Sequence, residues 1–123
     1  MELIVKILIA IVAVLHCYFL YIEMFAWTSK GPKVFKTIPP DQFENLKVMA
    51  GNQGLYNGFL AAGLIWALFI KNIEWQHHIG IFFLACVAIA GVYGAATVSI
   101  RIFYVQALPA LLAIMLSIIH TWL

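Results

Sequence analysis

Charge is what this sequence has least of: only 10% of its 123 residues are charged, 7 Lys or Arg and 5 Asp or Glu. A soluble domain carries about 25%, so a water-facing surface of ordinary extent is excluded. The net charge of +2 is small, and with no groove-reading element beside it a nucleic-acid partner is excluded too. Cysteine is nearly missing. Cys17 and Cys86 stand alone in different apolar runs, with neither a CxxC pair nor metal-ligand spacing, and read as inert buried thiols. No phosphate loop, metal cluster or nucleophile-base-orienter set is present, so no cofactor is implied and catalysis has only generic support. A removable leader is not expected either, because Glu2 stands where a basic n-region belongs and no small-x-small site follows the first apolar run.

What fills the chain is hydrophobic: 65% of residues, with a mean hydropathy of +1.02. Apolar runs at 3–27, 48–70, 79–99 and 102–122 each approach the length of about 20 residues that crosses a hydrocarbon core. The expected fold is all-α: a single domain, 1–123, forming an up-down bundle of four transmembrane helices with both termini on one side of a bacterial cell membrane. Lys30, Lys33, Lys36, Lys47 and Arg101 fall on the side opposite the termini, against Lys6 and Lys71 on theirs. By the positive-inside tendency the 28–47 loop is cytoplasmic and the termini are extracytoplasmic. Within that loop, Val34 and Phe35 between lysines suit either a membrane surface or an ordinary basic loop. Pro39-Pro40-Asp41 with Glu44 predicts a capped start for the second helix near residue 41.

The polar residues of the apolar runs carry the functional signal. His16, Glu23 and Trp27 fall within roughly 40° of one another on a helix turning about 100° per residue, forming one polar stripe on the first span. The second span opens on Asn52-Gln53-Gly54-Leu55-Tyr56-Asn57-Gly58, the third holds Tyr93 and Thr97 one turn apart, and Arg101 and Gln106 follow. Pro109 should kink the fourth span and free the carbonyl of Val105. Up-down threading sends all these groups except mid-depth His16 to the cytoplasmic half and leaves the other half almost wholly apolar. Either they satisfy one another, with Glu23 neutral or paired with Arg101, or they line a pocket. An acid placed in a membrane at a cost of a few kcal/mol favours the pocket. Gly54 and Gly58 form a small-residue face whose natural partner is that of Gly91 and Gly94, either within one chain or between two. His77-His78 lies in the opposite turn, where no third metal ligand is near.

The segments Tyr21-Ile22-Glu23-Met24-Phe25-Ala26-Trp27, Asn52 to Gly63, Gly91-Val92-Tyr93-Gly94-Ala95-Ala96-Thr97 and Gln106-Ala107-Leu108-Pro109-Ala110 resemble those of small bacterial membrane proteins known as domain of unknown function 1304. The resemblance spans essentially the whole chain. It implies a four-helix bacterial membrane protein and brings no established activity.

Three functions follow from these residues. The first is binding or transport of a small, partly apolar molecule or lipid. Glu23 would take a proton or cationic group, Asn52, Gln53, Asn57 and Gln106 would orient the ligand, and Trp27, Tyr56 and Tyr93 would form aromatic walls. The second is acid-base chemistry on a lipidic substrate by His16 and Glu23. The third is an accessory subunit of a larger membrane complex, docked through its glycine faces.

Overall fold

The chain folds into helices and turns, without a strand. The computed structural model describes residues 1–123. Its elements are α1 (Leu3–Leu20) running into a π-helical turn (Tyr21–Phe25), α2 (Trp27–Val34), a 3-10 turn (Pro40–Gln42), α3 (Lys47–Phe69), α4 (Ile73–Thr97), a second π-helical turn (Phe103–Ala107) and α5 (Leu108–Trp122). Three stretches are long and apolar enough to cross a membrane: Leu3–Phe25, Ile73–Thr97 and Phe103–Trp122. With 23 residues, α3 matches them in length, but its amides and glycines dilute its hydropathy.

α1 packs on α3, α3 on α4, α4 on α5 and α5 back on α1, so the four long helices close a ring. The centre is filled by Val5, Ile9, Val12 and Ala13 of α1, Leu64 of α3, Leu84, Val87 and Ala88 of α4, and Ala110 and Ala113 of α5. Successive members on each helix lie one, three or four residues apart, the spacing of a single helical face. Only 29 of 123 residues are buried, and large apolar side chains such as Ile7, Val14, Phe59, Phe82 and Ile89 point outward. An outer surface of that kind suits hydrocarbon and not water.

Several boundaries differ from the sequence expectation. α4 begins at Ile73, not at 79, because Asn72 caps it: the Asn72 Oδ1 accepts from the Trp75 N–H at 3.0 Å. The capped start expected at Asp41 does not form. Pro39 and Pro40 produce only a 3-10 turn, no side chain caps it, and the second long helix starts at Lys47. The basic stretch after the first span is not an open loop, since α2 occupies Trp27–Val34. Phe35 turns inward onto Trp27 at 5.3 Å, and Trp27 also stacks on Phe43 at 4.7 Å and donates its Nε1–H to the Phe43 carbonyl at 2.8 Å. Phe35 is therefore not spread on a membrane surface. Cys17, expected to be buried, is exposed on the outer face of α1.

Candidate functional site

Two glycine notches and two π-helical turns shape the end of the ring away from the chain termini. In a π turn the backbone widens from i→i−4 to i→i−5 bonding, a distortion that recurs at functional positions. The first such turn carries Glu23, and α3 meets it with glycine. A Cβ at Gly54 would lie 2.7 Å from Met24 Cγ and 3.0 Å from Glu23 Cβ, and one at Gly58 would lie 2.5 Å from Leu20 Cδ1. The second follows the same plan: a Cβ at Gly91 would lie 2.6 Å from the backbone nitrogen of Ala107, and Gly94 faces Ile102. The expected contact between the two glycine faces is thus replaced by two separate ones. Each face is filled by the chain's own π-turn region, and a second copy would have to use another surface. Pro109 explains the second distortion, because its ring obstructs the Val105 carbonyl and the wider turn relieves the clash.

The close approach at Gly54 brings Glu23 to Asn57. The Asn57 Nδ2 donates to Glu23 Oε1 at 2.7 Å, and both residues are only 7% exposed. Glu23 does not pair with Arg101; the carboxylate that meets a basic side chain is Glu2, 3.1 Å from His120 Nδ1. Glu23 Oε2 makes no hydrogen bond within the chain, yet every fully buried polar side-chain atom has a partner. One carboxylate oxygen is therefore anchored, and the other has no partner within the chain and is not fully enclosed.

His16 is also buried, and its Nδ1–H donates to the Val12 carbonyl at 2.8 Å, with Phe19 edge-on at 5.7 Å. It makes no hydrogen bond to Glu23. Trp27 is buried too, but the π turn and a backbone break at Ala26 (φ −135°, ψ 24°) take it off the shared stripe and into the Phe35 and Phe43 cluster. The remaining predicted residues do not converge. Asn52, Gln53, Tyr56, Tyr93, Thr97 and Arg101 are exposed, and Gln106 is half-buried. The Thr97 hydroxyl donates to the Tyr93 carbonyl of its own helix at 2.7 Å. The inward face of α3 is set by Ala50, Gly54, Asn57, Ala61 and Leu64, which leaves Asn57 alone among the four polar residues of that segment facing inward.

The terminal end is not the apolar half that the sequence suggested. Gln76, His77 and Ser117 are buried there. Gln76 Nε2 donates to the Ala67 carbonyl at 3.2 Å, satisfying a backbone acceptor at the end of α3. His77 Nδ1 lies 2.9 Å from Ser117 Oγ. Gln76 and His77 escape the sequence reading because the apolar run of the third span starts at residue 79, whereas the helix already starts at Ile73. The readable signals were Gln76 and Gly80, four apart, and Ser117 and Thr121, also four apart. No group of three His, Cys, Asp or Glu side chains is placed to hold a metal ion.

These features define an all-helical protein with membrane-compatible apolar helices and a buried acid-amide pair at a widened helical turn. The chain belongs to the family described as protein of unknown function (DUF1304), which matches residues 10–118. It is similar to the uncharacterized protein YpaA of Lactococcus lactis subsp. lactis (strain IL1403), 29% identical over 119 residues that cover 95% of this chain and 98% of that protein. No solved structure matches the chain.

Proposed function

We propose that this is a multi-pass protein of the bacterial cell membrane that binds a small, partly apolar molecule or lipid through a cationic or proton-donating group at Glu23. α3 is the fourth span: its 23 residues extend roughly 35 Å at about 1.5 Å per residue, enough for a core of about 30 Å, and it packs between two apolar helices. The termini are extracytoplasmic and the connection from 28 to 46 is cytoplasmic, in keeping with its lysines. Transport by so small a chain calls for a second copy, and the exposed edge of Asn52, Gln53 and Tyr56, outside the filled glycine faces, offers amides that both donate and accept.

The observation that carries this reading is the half-satisfied carboxylate. An acid kept at this depth is expensive unless it is used. Asn57 holds one oxygen at 2.7 Å and leaves the other for a ligand, while the π turn presents it and Gly54 lets the helices close around it. An acid-base enzyme finds less support, since His16 is committed to its own helix and makes no contact with Glu23.

Equilibrium binding of tetraphenylphosphonium, a lipophilic cation, to the protein in nanodiscs tests this reading. Saturable binding by the wild type and its loss in Glu23→Gln, with the helical signal unchanged, is the expected result. Equal binding by both proteins would refute it.

A further inference from the structure

The other end of the molecule holds a second built site. A cleft of about 720 Å³ opens where the start of α4 meets the end of α5, and half of its ten lining residues are apolar. That volume lies within the range of roughly 300–1,000 Å³ usual for small-molecule sites. Its polar wall carries His77, His78 and His120 with Glu74. His77 is the fixed member: it is 8% exposed, and its Nδ1 lies 2.9 Å from Ser117 Oγ, with Thr121 Oγ1 3.4 Å away. Ser117 is itself completely buried, and the Thr121 hydroxyl donates to the Ser117 carbonyl at 2.8 Å. With the Ser117 hydroxyl donating to Nδ1, the proton of the neutral His77 ring sits on Nε2, which is free to donate into the cleft. His120 is oriented by Glu2 at 3.1 Å, which also engages that carboxylate and leaves Glu74 as the only acid lining the cleft. The apolar wall includes Ile118 and Trp122, 44% and 81% exposed, so it continues onto the outer surface of the ring.

We propose that this cleft binds the phosphate head group of an amphiphile, its oxygens accepting hydrogen bonds from the imidazoles of His77, His78 and His120 while the chain lies along Ile118 and Trp122. Imidazole donates N–H in both its neutral and its charged form, and a phosphate supplies several strong acceptors. A metal ion does not suit the same residues, because they do not gather into a ligand set. A tryptophan beside an apolar wall is the usual furniture of the membrane interface, where lipid head groups lie. The site is independent of Glu23, which sits at the other end of α1.

Labelling the histidine Cε1 positions separates the four histidines of the chain by NMR, and His16, away from the cleft, serves as the internal reference. In maltoside micelles, dodecyl phosphate should shift the His77, His78 and His120 signals saturably and leave His16 in place. The double substitution His78→Gln/His120→Gln, made at two exposed residues, should weaken binding about tenfold or more through loss of charge-assisted hydrogen bonds. Inorganic phosphate giving the same shifts at the same concentration would identify the free anion as the source. Shifts seen only with the alkyl chain attached would identify a lipid. The proposal is overturned if neither phosphate moves the His77 signal, if dodecyl trimethylammonium moves it equally, or if the double variant binds as tightly as the wild type.

Discussion

Glu23 and Gly91 show how single residues set this structure. Glu23 was readable as an inward group because an acid within an apolar run must find a partner, and Asn57 is that partner at 2.7 Å. Asn52, Gln53 and Tyr56 were not separable from Asn57 by residue type. Only the small-residue stripe running through Gly54 and Ala61 decides which face turns inward, and it selects Asn57. Gly91 is where the backbone of the second π turn comes closest, so an added methyl would strike main-chain atoms that cannot rotate away. Gly51 faces open space. Gly91→Ala should therefore destabilise the protein by at least about 1–3 kcal/mol, the range for overpacking, whereas Gly51→Ala should be neutral or stabilising by up to about 1 kcal/mol through helix propensity. Unfolding in mixed micelles, followed by circular dichroism, measures both; equal effects would contradict the notch.

At the scale of elements, the long helices could be read from their apolar runs, while the ends and the distortions could not. The π turn at Tyr21–Phe25 has no local sequence mark; it lies where α1 closes against Gly54 and Gly58. The π turn at Phe103–Ala107 was readable as a kink through Pro109, although not in its form. The segment between α1 and α3 reads from the sequence as a basic loop, with a helix start near residue 41. Its organising contact is long-range, Trp27 with Phe43, sixteen residues apart. Phe43 is 3% exposed, and removing its ring should cost about 3–5 kcal/mol of local packing. Phe43→Ala is accordingly expected to open this connection to trypsin at Lys33 and Lys36 while the helical content of the four long helices persists. Unchanged cleavage would show that the cluster does not hold the segment.

The whole molecule places polar groups at both ends, with an apolar centre between them. Up-down threading predicts Glu23 and Asn57 at one end, and the two do meet, but buried Gln76 and His77 at the other end lie where the sequence predicts an interfacial turn. The contact of Glu2 with His120 brings the first and last turns together. The proposed orientation in the membrane rests on the lysines of the connection. With Cys17 and Cys86 replaced by serine, Leu123→Cys should react with an impermeant maleimide in intact cells and Lys36→Cys only after the cells are opened. The reverse pattern would invert the molecule.

On the proposed reading, the acid and amide are maintained for a ligand, and not for holding the helices together; comparing three proteins in the same nanodiscs tests it directly. Asn57→Leu alone should be less stable than the wild type, because it strands a buried acid without its partner. The double variant Glu23→Leu/Asn57→Leu should recover at least wild-type thermal stability, as apolar replacement of buried polar pairs often does, and should bind no tetraphenylphosphonium. A double variant that is less stable than Asn57→Leu alone, or that retains full binding of the cation, would contradict the account.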